Sequence, residues 1–311
     1  MKYKVSVILP VYNVENYIDE CLNSLLKQSM DDFEVIAVND GSTDNSLKKL
    51  NNYLDRGINL KIINQANGGL SKARNTGIKN SNGDYILFLD SDDMLDKSCI
   101  EKLYLKAKLN DLDLVIFDPL RFNDDKKVFE KKDSREKSIY NQDIMDIETY
   151  LKKAQKQCLL MSTLHFYKAS LIKNNKIFFK EGILHEDELH SLNAYRFINK
   201  VGYINEKLYI RRFREGSIMT NNIYSNKNSL ESYIYILNIF SKYRNENINK
   251  ELKKLVDIRS SLILSNLIRY DEVNFKKLIE INRNLNITIN RKRVLANIII
   301  FKFINRIKGV L

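Results

Sequence analysis

Along residues 4–120 the apolar positions switch repeatedly between two spacings. Val5-Ser6-Val7-Ile8-Leu9 is a short apolar run closed by Pro10. Val14, Tyr17, Ile18, Cys21, Leu22, Leu25 and Leu26 then recur at helical spacing, with Asn13 placed to cap the helix. Phe33–Val38 reads as a second, buried strand, and Ser42 is placed to cap a helix carrying Leu47, Leu50 and Leu54. Leu60–Ile63 reads as a third strand and Leu70–Lys79 as a helix. Tyr85–Leu89 is a fourth strand, followed by a helix through Ile100, Leu103 and Ala107 and a fifth strand over Leu112–Phe117. Strands alternating with helices predict right-handed crossovers, hence an α/β fold around a mainly parallel sheet flanked by helices. Ligands of such sheets bind beyond the carboxyl ends of the strands. Asn13, Asp40, Asn67 and Asp90 fall at or just past those ends.

Beyond the alternating region the pattern changes. Residues 121–146 are charged and aperiodic and read as a surface excursion; helical spacing returns over Ile147–Gln157. After Ser225 the chain reads as helical, with Leu230, Tyr233, Ile234 and Leu237 on one face and Leu252, Leu255, Val256 and Leu262 on another. The expected division is an α/β domain over 1–220 and a helical, basic region over 221–311. A length of 311 residues and a hydrophobic fraction of 44 % suit two domains with real cores. The opening residues carry no h-region and no small-residue cleavage site, so no secretory leader is expected there. Cys21, Cys99 and Cys158 are odd in number and scattered, which points to a reducing cytosol and away from disulfides or a zinc site.

Charge adds a second asymmetry. The net charge is +12, yet residues 1–110 hold 14 basic against 15 acidic side chains, while residues 230–311 hold 16 against 7. The partners this suggests for the C-terminal third are nucleic acid or an anionic membrane surface. Residues 291–308 hold six basic and no acidic side chains around an apolar stretch, Val294–Ile304. That stretch is far shorter than the ~20 residues needed to span a bilayer. It suits an interfacial helix on anionic headgroups, or a helix packed in a core or dimer interface. No RNA-binding motif accompanies it, which disfavours nucleic acid.

Candidate chemistry begins where the fourth strand runs into Asp90-Ser91-Asp92-Asp93. Carboxylates packed at a strand end suit Mg²⁺ or Mn²⁺ shared with substrate phosphates, or simply an acidic turn. Asn39-Asp40-Gly41-Ser42-Thr43-Asp44 follows the second strand; Asp40 is placed to grip a ribose or base edge, or to serve an ordinary capped turn. Asn67-Gly68-Gly69-Leu70-Ser71-Lys72-Ala73-Arg74-Asn75 follows the third strand, where glycines and a helix start favour an anion and Arg74 adds a positive fork. Later, Glu181–Glu188 clusters acids around His185.

Taken together, Pro10-Val11-Tyr12-Asn13, Val38–Asp44, Gly69–Gly77 and Asp90–Asp93 resemble, in order and spacing, the family-two, GT-A-fold glycosyltransferases of bacterial surface-polysaccharide synthesis. The segments Gly182–Glu188 and Arg212–Met219 are similar more loosely. The resemblance implies a Rossmann-like GT-A domain and inverting transfer of a sugar from a nucleotide-sugar donor, usually a UDP-sugar. It implies that Asp40 contacts uracil or its ribose, with Pro10, Tyr12, Asn67, Arg74 and Ser91 in the same pocket. Asp90 would then face the ribose and Asp92 would ligate Mn²⁺ or Mg²⁺; Arg212 and Arg214 are placed to cap the phosphates as bidentate forks, or are simply surface charge. Asp187 is the expected general base, with Glu186 in reserve. His185 is read as a satisfied loop histidine in preference to a metal ligand; His190 is given no role, and His165 stands where relatives often carry lysine. The expected acceptor is a lipid-linked or oligosaccharide hydroxyl, with the enzyme peripheral on the cytoplasmic face of the membrane. A sugar-phosphate nucleotidyltransferase would need a Gly-rich basic loop after the first strand, where this chain has Pro10-Val11-Tyr12-Asn13. A nucleotide-sugar-binding subunit without activity is the non-enzymatic alternative.

Overall fold

The computed structural model describes residues 3–130, 143–156, 160–213, 226–270 and 272–285. Cys158, Arg214 and the basic segment 291–311 lie outside them. The chain forms two compact units. One comprises Met1–Gly182 and Glu186–Glu215, the other Ile183–His185 and Gly216–Leu311.

The first unit is built on a ten-stranded mixed sheet. Its strands are β1 (Val5–Val11), β2 (Phe33–Asn39), β3 (Asn59–Asn64), β4 (Tyr85–Phe88), β5 (Met94–Leu95), β6 (Leu114–Asn123), β7 (Val128–Glu130), β8 (Ile144–Asp146), β9 (His165–Lys168) and β10 (Lys200–Phe213). Its helices are α1 (Ile18–Leu26), α2 (Ser46–Asn51), α3 (Leu70–Asn80), α4 (Cys99–Asn110), α5 (Ile147–Ala154), α6 (Ala169–Asn174) and α7 (Glu186–Ala194). The path through the sheet is β3-β2-β1-β4-β9-β6-β10-β5, with β7 on β6 and β8 on β10. The strands β3, β2, β1 and β4 are mutually parallel. β9 is antiparallel to both β4 and β6, and β10 runs parallel to β6. The carboxyl ends of β1, β2, β3, β4, β6 and β10 therefore share one edge of the sheet, where a ligand crevice is expected.

The central strands β1, β2 and β4 are apolar throughout because both faces are covered, as buried parallel strands require. Helices α1 and α4 lay Ile18, Cys21, Leu22, Leu25, Cys99, Ile100 and Leu103 on one face. On α3, Gly77 comes so close to β1 that an added Cβ would lie 2.3 Å from Ile8 Cγ2. Two details depart from the sequence pattern. Asn13 and Ser42 do not cap helices: α1 begins five residues after Asn13 and α2 four after Ser42. Instead, Asn13 takes a left-handed φ of 50° and accepts from Thr43 N at 2.8 Å, while Ser42 Oγ accepts from Asn13 N at 3.2 Å. The described residues of the excursion, 121–130 and 143–146, are more ordered than their composition suggests: β6 continues to Asn123, β7 folds back on it, and β8 pairs with β10.

The second unit contains α8 (Lys227–Asn245), α9 (Lys250–Leu267) and α10 (Phe275–Leu285). Asn226 and Asn249 cap α8 and α9 through their side chains. Buried Leu230, Ile236, Leu237 and Phe240 of α8 and Leu252, Leu255, Val256 and Ile263 of α9 supply its apolar interior. His185 stacks on Tyr233 at 4.0 Å, and its Nε2 lies 2.7 Å from Ser229 Oγ. Burial pulls His185 down to about 4, so it is a neutral packed ring. No described helix is long and apolar enough to cross a membrane.

Candidate active site

Of the acids and bases singled out in the sequence, Arg74, Asp90, Glu186 and Asp187 meet just past the carboxyl end of β4. Arg74 is the hub. Its position on α3 buries it to 1 % exposure. Its Nη2 lies 2.8 Å from Asp90 Oδ1 just past β4, and its Nη1 lies 2.9 Å from Glu186 Oε1 and 3.3 Å from Asp187 Oδ1 on α7. Phe179 covers the guanidinium at 5.1 Å. Burial opposes its charge, but Asp90, Asp187 and Glu186 more than offset that and raise its pKa above the ordinary arginine value. Segments more than a hundred residues apart are thus tied at one cation.

Glu186, Asp187 and Glu188 occupy the first turn of α7, where the helix dipole favours negative charge. The two candidate bases differ. Glu186 is buried, and burial together with the Asp187 charge pushes it up to about 7 against the pull of Arg74. Asp187 is more open, its side chain 27 % exposed. The segment leading to α7 is held by Asn75, whose Nδ2 donates to Phe179 O and Glu181 Oε1 while its Oδ1 accepts from Phe179 N. In the sequence Asn75 stands only as part of the Gly69–Gly77 motif; its pairing across the fold gives it a structural task.

At the other end of α3, Asp40 follows β2 and is 3 % exposed. Its Oδ1 accepts from Gln65 Nε2 at 2.7 Å and from Gly68 N at 3.0 Å, and its Oδ2 from Gly69 N at 2.8 Å. Asp40 therefore fixes the glycine turn that starts α3, and Gly69 there has a φ of 85°, which favours glycine. Tyr12 is 49 % exposed and Asn67 is exposed, both beyond strand ends; Pro10 is buried within β1, opposite Val38, and Ser91 is 6 % exposed. Asp92 is half-buried.

Arg212 departs from expectation. It points into the protein instead of serving as an open phosphate clamp, with a side chain 1 % exposed. Its Nε donates to Asp92 O at 2.7 Å, its Nη2 to Glu20 Oε2 at 2.7 Å, and its Nη1 to Asp124 Oδ1. The reason is local: β10 runs beside β6, and the turn after β6 brings Asp124 to it. Two histidines are core residues. His165 is 2 % exposed among Tyr167 and Tyr195, and burial takes it down to about 3. His190 is 1 % exposed and stacks on Phe179 at 3.8 Å.

Among the described residues no group of three or more His, Cys, Asp or Glu is arranged to hold a metal alone. One or two hard carboxylates at the strand end do fit Mg²⁺ or Mn²⁺, which commonly complete their shell with water and substrate phosphates.

The model of the family described as glycosyl transferase family 2 matches residues 6–174, which contain Asp40, Arg74 and the Asp90–Asp93 turn. The chain belongs to glycosyl transferase family 2. Within that family it is 36 % identical over 219 residues to glycosyltransferase GlyA of Streptococcus pneumoniae serotype 4, covering 69 % of this chain and 31 % of that protein. It is 35 % identical over 216 residues to the uncharacterized glycosyltransferase EpsJ of Bacillus subtilis, covering 69 % of this chain and 62 % of EpsJ. The chain thus spans about a third of the first relative and less than two thirds of the second. The structure of S. aureus TarS residues 1–349 in complex with UDP-GlcNAc superposes with a TM-score of 0.72 at 25 % identity, over 92 % of this chain and 80 % of that one. The α/β architecture is accordingly that of GT-A glycosyltransferases.

Proposed function

We propose that this family-two protein is an inverting glycosyltransferase that moves a sugar from a UDP-sugar donor to a hydroxyl of a lipid-linked or oligosaccharide acceptor. One observation carries the reading: Arg74 brings the strand-end Asp90 and the helix-start Asp187 to a single guanidinium. The UDP-GlcNAc held by TarS at a TM-score of 0.72 supports the choice of donor.

In this reading Tyr12 offers a ring face to the base, Asp40 and Asn67 its polar edge, and Asp90 faces the ribose. Asp92 would hold Mn²⁺ or Mg²⁺, which when bound supplies Lewis-acid stabilisation to the departing diphosphate. Asp187 accepts the proton of the acceptor hydroxyl as its oxygen attacks the anomeric carbon. The new C–O bond forms as the bond to the UDP oxygen breaks on the opposite face. Glu186, deeper on the same turn and bonded to Arg74 at 2.9 Å, helps to set the geometry of Arg74 and Asp187 and is the reserve base.

Replacing the base tests the assignment. Asp187→Asn should lower transfer by about 10²–10⁴-fold, the usual worth of general-base catalysis, while UDP affinity by calorimetry stays nearly unchanged. Transfer at the wild-type rate would move the base elsewhere.

A further inference from the structure

The aspartate turn that follows β4 is gripped from below by β10. Tyr209, fully buried, accepts from Asp90 N at 3.2 Å and donates its hydroxyl hydrogen to Asp93 Oδ2 at 2.6 Å. Three residues on, Arg212 donates its backbone N–H to Asp93 Oδ1 at 2.7 Å and its Nε–H to Asp92 O at 2.7 Å. The turn closes on itself through Asp93 N to Asp90 O at 3.0 Å. Just past it, β5 pairs with β10 at Leu95–Tyr209 and Met94–Ile210. Both ends of the turn and its middle carbonyl are therefore fixed to one strand. Arg74 adds a hold on the Asp90 side chain.

Arg212 extends the hold outward. Its Nη2 reaches Glu20 on α1, its Nη1 reaches Asp124 after β6, and its guanidinium lies 5.2 Å from the Tyr17 ring and 5.3 Å from the Phe122 ring. A buried arginine loses much of its hydration, and a fork of carboxylates with flanking rings replaces it. The charge is kept inside for a geometric end. A carboxylate that is to share a hard cation with a diphosphate has to be held to within about half an ångström, and the bonds to Asp90 N, Asp92 O and the Asp93 carboxylate fix the backbone that carries Asp92. The β-bulges in β10 between Ile204 and Tyr209 precede the two anchors and shift the strand's register on β6 there.

We infer that Tyr209 and Arg212 are positioning residues that set the Asp92 carboxylate for a divalent cation shared with the donor diphosphate. The inference rests on the cation role of Asp92 in the proposed function. It gives Arg212 a task within the protein in place of direct phosphate binding.

The test is a Mn²⁺ titration of UDP-dependent stabilisation, read as the rise in melting temperature of the full chain. Tyr209→Phe keeps the ring and removes only the hydroxyl. It should raise the Mn²⁺ concentration for half-effect by about five- to tenfold, the net worth of a hydrogen bond. Arg212→Lys, which keeps the charge and loses the fork, should shift it the same way. Tyr203→Phe is the control: its hydroxyl bonds Asp118 at 2.6 Å, elsewhere on β10, and its loss should leave the Mn²⁺ half-effect where it is. If the wild type responds to Mn²⁺ and Tyr209→Phe responds identically, the positioning role is wrong and the parent reading stands. Equal shifts in Tyr209→Phe and Tyr203→Phe also overturn it, since both would then act through general stability. A wild type that binds UDP with no Mn²⁺ effect removes the cation role and the positioning role together. Arg212→Lys that fails to fold leaves the decision with Tyr209→Phe.

Discussion

At the residue scale, the site is a problem in charge placement. Three carboxylates, Asp90, Glu186 and Asp187, surround one buried guanidinium. The deepest, Glu186, carries the strain as a pKa raised to about 7 from an ordinary 4.5. The sign follows directly. A carboxyl raised in the folded state favours folding most below its unfolded value and loses that contribution as pH climbs through about 7. Glu186→Gln removes the titration. Its melting temperature relative to wild type should therefore rise steadily between about pH 4.5 and 7 and level off above; a constant difference across that window would show that Glu186 titrates normally. That Asp90, Arg74 and Asp187 matter was legible from the motifs they stand in; that Arg74 pairs with these acids was not, since its motif suggested an anionic ligand as its partner. The inward turn of Arg212 was not legible. Its partners Glu20 and Asp124 lie 192 and 88 residues away in sequence, and no local pattern announces such pairs.

At the scale of elements, helix α3 links the two ends of the site. Its first turn meets Asp40, and one turn later Arg74 meets the acids. Gly77 seats it on β1. Alanine there gains about 1 kcal/mol in helix propensity, but its Cβ would fall 2.3 Å from Ile8 Cγ2. Overpacking of that kind costs about 1–3 kcal/mol, so Gly77→Ala should lower the unfolding free energy in a denaturant titration. A more stable variant would mean that α3 is free to lift from the sheet. The alternating strands and helices were readable from periodicity because each buries its own regular stripe. Helix starts were misread at Asn13 and Ser42, whose polar atoms bond each other's loops across 29 and 30 residues instead of a local N–H. The short strands β7 and β8 escaped notice because three residues carry little pattern, and β8 is defined by its pairing with distant β10.

At the scale of the whole molecule, the charge is divided between a near-neutral first third and a basic last third, and the family-model match over residues 6–174 lies outside the basic part. The basic segment 291–311 gives a further expectation that follows from electrostatics alone. Each Lys or Arg near an anionic surface contributes about 1 kcal/mol, so deleting 291–311 should abolish sedimentation with anionic vesicles and leave neutral vesicles unbound as before. Undiminished binding by the truncated chain would assign that segment to packing.

The most direct test of the whole account is calorimetry of UDP binding to the full chain, with Mn²⁺ and again with excess chelator, for wild type and Asp92→Asn. The account predicts saturable one-to-one binding by wild type that weakens sharply in chelator, and an Asp92→Asn chain that binds alike in both conditions. Wild-type binding that is absent, or that is indifferent to the cation, would contradict it.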